Sequence, residues 1–273
     1  MEAAEQFRDM QKAIWSSGDW PEFASIVQEV SDRVVEELGV GEGHDYLDVA
    51  CGSGNAAIVA ARRGARVSGL DLVPELVEAA RQRFAAEEFE GEFVQGDAEN
   101  LPFEDDSFDR ATSIFGVMFA PGHQKAADEL VRVTRPGGAF AVTGWTPDGL
   151  NGMMFRTLGQ HMPPPPEELK PPVMWGDEDY VRGLFSRPGL EVEFDRQFSH
   201  VSWESPESWL DYCERNLGPI VTAKAVLEPQ GKWEPAREDL LALSGRFNQA
   251  DDGSVRTAAE YLRTKVTLAA AHA

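Results

Sequence analysis

A chain of 273 residues, 42% hydrophobic and 26% charged, has an ordinary globular composition and room for one large α/β domain carrying a lid. Its 47 acidic against 25 basic residues give a formal net charge of −22, a field that repels polyanions and makes nucleic acid and anionic membranes poor candidate partners. No stretch approaches the ~18 apolar residues of a membrane span. The amino-terminal "MEAAEQFRDMQKAIW" lacks a signal peptide's apolar core, and the two cysteines, Cys51 and Cys213, are too few for a disulfide framework, so a cytoplasmic address is expected. The composition says nothing of oligomeric state.

In chain order, residues 1–36 are expected to form a helical cap. Short apolar runs then alternate with helical patterns, as in a parallel sheet wrapped by helices. Strands are predicted at 45–50, 66–72, 91–97, 109–117 and 138–145, and helices at 55–64, 74–87 and 124–134. In such sheets ligands bind beyond the carboxyl ends of the strands. This core is assigned to residues 37–150.

After Trp145 the rhythm breaks. "HMPPPPEELKPP" (161–172) reads as a stiff extended connection, 177–187 as a helix, and 190–203 as an edge strand or hairpin. From Ser205 to Asn248 the pattern is helical, opened by a cap at "SPES", and 255–270 suits either strand or helix. Residues 151–273 are thus expected to complete the sheet and to carry a helical lid over about 205–250.

"DVACGSGNAA" (48–57) holds Gly52-x-Gly54-x-x-Ala57, a turn that lets a nucleotide-like cofactor approach the backbone closely. Asp48, at the end of the first strand, would set negative charge near a pyrophosphate, which disfavours a nicotinamide cofactor. It favours S-adenosylmethionine, which has no phosphate and carries an ammonium and a sulfonium. Asp71 ends the second strand, where a carboxylate can accept both ribose hydroxyls, and Asp97 ends the third, within reach of an adenine amino group. Rival readings are a nicotinamide-dependent oxidoreductase and a domain that binds the cofactor without catalysis.

"YLDVACGSGNAA", "VSGLDLVPELVEAAR", "FVQGDAENLPFEDDSFD" and "LVRVTRPGGAFAVTGW", in this order, resemble the class I S-adenosylmethionine-dependent methyltransferases, and more narrowly bacterial small-molecule enzymes of natural-product pathways. The resemblance covers roughly residues 40 to 150. It implies a Rossmann-like, parallel-dominated seven-stranded sheet with helices on both faces. It implies S-adenosylmethionine as cofactor and S-adenosylhomocysteine as product. It places Asp48, Ala50, Gly52 and Gly54 at the methionine part, Asp71 at the ribose with Leu72 beside the adenine, Asp97 and Ala98 at the adenine, and Phe115 or Gly116 near the sulfonium. Ala50 departs from the family, which has the first glycine of its loop there. "RPGG" (135–138) is expected to be a structural turn.

Methyl transfer from a sulfonium is an in-line displacement that depends mostly on positioning, with a base needed only where the nucleophile must lose a proton that solvent cannot take. The "NPPY"-like element of enzymes that methylate nucleic acid bases is absent, "FGVMFAPG" standing in its place. His161 and, ranked below it, His123 are the candidate general bases. Trp15, Trp20, Met118, Phe119, Met153, Met154, Phe155 and Trp175 are candidate acceptor contacts, suited to a flat apolar molecule of phenol or indole type. No metal is expected, and Cys51 is assigned to packing.

Overall fold

The computed structural model describes residues 11–17 and 20–270. Seven strands form one sheet: β1 (Asp45–Val49), β2 (Arg66–Asp71), β3 (Gly91–Gln95), β4 (Phe108–Ile114), β5 (Thr134–Trp145), β6 (Leu190–Trp203) and β7 (Val255–Leu268). Their order is β3-β2-β1-β4-β5-β7-β6. The first five pair in parallel, while β7 inserts antiparallel between β5 and β6. The chain reverses its direction of travel across the sheet between β1 and β4, and this switch point leaves a crevice beyond their carboxyl ends.

Local sequence explains each connection at that end. The helix Asn55–Arg62 begins directly after the glycine loop, with Gly54 as its N-cap at φ 84, and a Cβ there would lie 3.3 Å from Ala80 Cβ on the helix Pro74–Ala86. Gly54 therefore lets two helices pack closely. β4 ends in a kink at Phe115, φ 54, held by Phe115 N–H donating to Thr143 Oγ1 at 2.9 Å. Ser113 Oγ bridges the neighbouring strand, donating to the Val49 carbonyl at 2.7 Å and accepting from Val117 N–H at 3.0 Å.

Several expectations are corrected. "RPGG" lies inside β5 as a bulge: Phe108 pairs with Thr134, but Arg110 pairs with Ala139, and Gly137 takes φ 80 to accommodate the extra residues. Of the alternatives left open, 255–270 forms a strand over Val255–Leu268, and 190–203 is a single long edge strand paired along its whole length from Leu190↔Leu268 to Trp203↔Val255. A helix not foreseen, Leu150–His161, follows β5, so His161 ends a helix instead of opening the proline-rich connection.

Apolar burial divides into two clusters. One fills the sheet and its flanking helices. The other joins Leu150, Met154 and Leu158 of the unforeseen helix to the helices Pro206–Asn216, Gly218–Leu227 and Trp233–Phe247. The expected cap opens the first of these three: Ser205 Oγ accepts from Ser208 N–H at 3.1 Å, and Ser208 Oγ accepts from Ser205 N–H at 2.9 Å. Among the described residues no helix is long and apolar enough to cross a membrane.

Candidate active site

The switch point opens into a cavity beyond the carboxyl ends of β1 and β4. Asp48, Ala50, Gly52, Asp71, Leu72, Asp97, Ala98, Phe115 and Gly116 all line it, so all but one of the positions carried over for the cofactor meet on one surface. Gly54 is the exception and sits behind the loop against Ala80.

Two buried acids organise the loop. Asp71 accepts from Gly52 N–H at 2.8 Å through Oδ2 and from Val73 N–H at 2.9 Å through Oδ1, stapling the glycine loop to the end of β2. Asp48 accepts from Ala57 N–H at 3.0 Å and, more weakly, from Thr112 Oγ1 at 3.4 Å. Burial pushes the Asp48 carboxyl up to about 7, opposed by those two hydrogen bonds and reinforced by the neighbouring Asp71. Asp71 is raised as well, again by burial first, against its backbone donors. Asp97, just past β3, accepts from Glu99 N–H at 2.9 Å. Arg83 braces the loop from outside, donating to the Ser53 carbonyl at 3.2 Å and to Asn55 Oδ1 at 2.6 Å.

Beyond Phe115 the lining changes character. The Phe115 ring stacks on Trp145 at 3.7 Å between centroids, with Tyr261 edge-on at 5.4 Å. Trp15 packs edge-on against Phe119 at 4.4 Å, and Phe119 against Phe155 at 6.0 Å. Met154, Leu217 and Pro219 continue this wall, and its polar side chains are Gln11 and Asn151. Gln11 Oε1 already accepts from Trp15 Nε1 at 2.7 Å. Tyr261 stands behind Phe115 off the wall, and no described residue that lines this half is ionisable.

Trp15, Phe119, Met154 and Phe155 line the cavity, while the side chain of Trp20 lies outside the described residues. The other candidate contacts are corrected. Met118 and Trp175 are fully buried in the sheet's core, and Met153 packs into the second apolar cluster. Trp175 is held there because Gly176 and Gly144 let its segment touch β5: a Cβ on Gly144 would lie 2.6 Å from the Trp175 carbonyl carbon.

Both candidate bases are also off the cavity wall. His123 is buried, its Nδ1 2.9 Å from Tyr180 Oη and its ring edge-on to Trp175. Burial lowers its pKa to about 4, against a hydrogen bond to the Met118 backbone that favours the charged form. His161 Nε2 lies 2.8 Å from Asp239 Oδ2, tying two helices of the second cluster together. Cys51 does line the cavity, and burial first, then the two acids, raise its thiol well above the usual range, so it stays protonated and acts as packing.

Sequence reasoning missed Ser31 and Asn151. Ser31 Oγ is buried on the cavity wall without a hydrogen-bond partner among the described residues. Its signal was the spacing Ala24, Val27, Ser31, one face of the amino-terminal helices.

Comparison with known proteins agrees with this geometry. Residues 47–142 match the family model described as "Methyltransferase domain". The uncharacterized protein Rv1405c of Mycobacterium tuberculosis is 39% identical over 216 residues, 78% of this chain and 79% of that protein. Methyltransferase GfsG of Streptomyces halstedii is 39% identical over 134 residues, 46% of this chain and 48% of its own. The crystal structure of the YcgJ protein from Bacillus subtilis superposes with a TM-score of 0.62 at 18% identity, covering 88% of this chain and 99% of that one, which shows the shared fold. The sheet order, the loop and the matched domain agree: the chain belongs to the class I S-adenosylmethionine-dependent methyltransferases, and S-adenosylmethionine is its cofactor.

Proposed function

We propose that the protein is a cytoplasmic, metal-independent enzyme that methylates an O, N or C nucleophile of a small, aromatic, phenol- or indole-type metabolite in natural-product biosynthesis. The observation that carries the acceptor class is the unionisable, aromatic and aliphatic second half of the cavity. The natural-product setting follows from the sequence resemblance.

The residues present fit the cofactor. Asp48 and Asp71 are buried acids whose hydrogen-bond donors are uncharged, an arrangement that favours a bound cation. The orphaned Ser31 hydroxyl adds a polar group that a ligand would satisfy. In this reading Asp48 and the loop from Ala50 to Gly52 hold the methionine part, Asp71 and Leu72 the ribose, and Asp97 and Ala98 the adenine. When bound, S-adenosylmethionine supplies an electrophilic methyl group on a sulfonium. Phe115, stacked on Trp145, fixes the boundary between the two halves and offers a ring to the positive charge. The lid helices of residues 206–247 exclude water. Neither histidine acts as base, so the acceptor's proton leaves to solvent.

Calorimetric titration with S-adenosylmethionine, S-adenosylhomocysteine and NADH tests the site. Binding of the first two and not the third is expected. Acceptance of NADH, or failure to bind S-adenosylhomocysteine, would sink the assignment.

A further inference from the structure

The apolar half of the cavity holds one uncommitted amide. Asn151, Met154 and Phe155 occupy positions i, i+3 and i+4 of the helix Leu150–His161 and all line the cavity, so they share one face. Met154 is buried and Phe155 packs against both apolar clusters, which fixes that face as a wall. Gly152 sets the helix's position, since a Cβ there would come within 2.6 Å of the Pro147 carbonyl oxygen. The Asn151 carboxamide makes no hydrogen bond with the described residues, whereas Gln11, the other polar side chain of this half, gives its carbonyl to Trp15. A carboxamide offers an acceptor oxygen and two N–H donors. Set in an apolar wall, it discriminates strongly, because a ligand that cannot pair with it leaves it desolvated and unsatisfied.

We propose that the Asn151 carboxamide selects and orients the methyl acceptor by hydrogen-bonding the single polar substituent of a flat, otherwise apolar molecule lying against Phe119, Met154 and Phe155. This rests on the aromatic-acceptor reading given above and goes beyond it by naming the specificity-determining residue. A planar acceptor held at its polar edge cannot rotate freely in the slot, so the nucleophilic atom is presented in a fixed direction relative to Phe115 and the cofactor half.

The probes are 1-naphthol and naphthalene, which differ by one hydroxyl, with equilibrium binding followed by fluorescence on the full chain saturated with S-adenosylhomocysteine. The wild type is expected to bind 1-naphthol about tenfold more tightly than naphthalene. Asn151→Leu is expected to bring the ratio close to one while leaving S-adenosylhomocysteine affinity unchanged. Where Asn151→Leu loses S-adenosylhomocysteine binding, Asn151→Ala, which removes the amide without adding bulk, decides by the same ratio. Equal affinities in the wild type, or a preference that survives the substitution, overturns the role of Asn151 alone. Binding of neither probe to the loaded protein overturns the aromatic-acceptor reading and the proposal together.

Discussion

Gly116 and Ala50 face each other at the ends of β4 and β1 with no room for a second side chain: a Cβ on Gly116 would collide with the Ala50 methyl and lie 2.9 Å from Ser113 Oγ. Ala50 itself holds φ 55, a conformation easier for glycine. Both residues line the cavity where its two halves meet.

Gly116→Ala is therefore expected to lower stability by about 1–3 kcal/mol through overpacking and to weaken S-adenosylhomocysteine binding. Adding Ala50→Gly removes one side of the collision and relieves the left-handed strain, so the double variant should recover part of both losses. Thermal melts and calorimetry of the single and double variants measure this coupling. Additive effects would mean that the two residues do not meet.

Asp48 gives the protein's stability a pH dependence. Its carboxyl rises from 3.8 unfolded to about 7 folded, so the native state holds a proton that the unfolded chain has lost. The stability this contributes is fully present below the unfolded value and is lost as pH rises through about 7, a change on the order of 3 kcal/mol between pH 5 and 8. Asp71 shifts in the same direction. Asp48→Asn should flatten the difference between denaturation midpoints at the two pH values. A bound cation favours the ionised form, so wild-type affinity for S-adenosylhomocysteine should rise from pH 6 to 8, and Asp48→Asn should remove the rise.

Asp71 staples Gly52 and Val73 to β2 through two backbone donors. Asp71→Asn keeps one acceptor and strands the other N–H. A loss of about 1.5–3 kcal/mol in S-adenosylhomocysteine binding is expected by calorimetry, from the loosened loop and the lost charge. Unchanged affinity would remove Asp71 from the site.

The histidines separate structure from chemistry. His161→Ala breaks a partly exposed pair with Asp239 and should leave kcat unchanged, with a stability cost of up to about 1 kcal/mol. His123→Ala leaves the Tyr180 hydroxyl without its partner beside Trp175 and should lower the melting temperature clearly while the pH profile of kcat keeps its shape. A large fall in kcat for His161→Ala at full stability would restore it as a base.

The strand ends were legible because the acids and glycines that terminate parallel strands are also those that line the crevice: Asp48, Asp71 and Asp97 needed no knowledge of packing to be placed. The far wall was not legible. Gly152 and Gly159 weaken the helical pattern of Leu150–His161, and packing against β7 and the helices of the second cluster stabilises that helix. Without it, Asn151 and Phe155 have no assigned face and Met153 cannot be told from Met154. His123 and Met118 lie in the right segment but point into the core, a matter of rotation about a short turn that chain position does not encode. Trp175 reached the core through two glycines, Gly144 and Gly176, far apart in sequence.

The proposed function requires that one cavity join a cofactor half to an apolar half whose wall carries no ionisable group. Transfer of labelled methyl from S-adenosylmethionine to a panel of phenols and indoles, set beside amino acids and nucleotides, tests it most directly. The label is expected in the neutral aromatic acceptors. Incorporation confined to the charged ones would mean that the apolar wall does not face the acceptor.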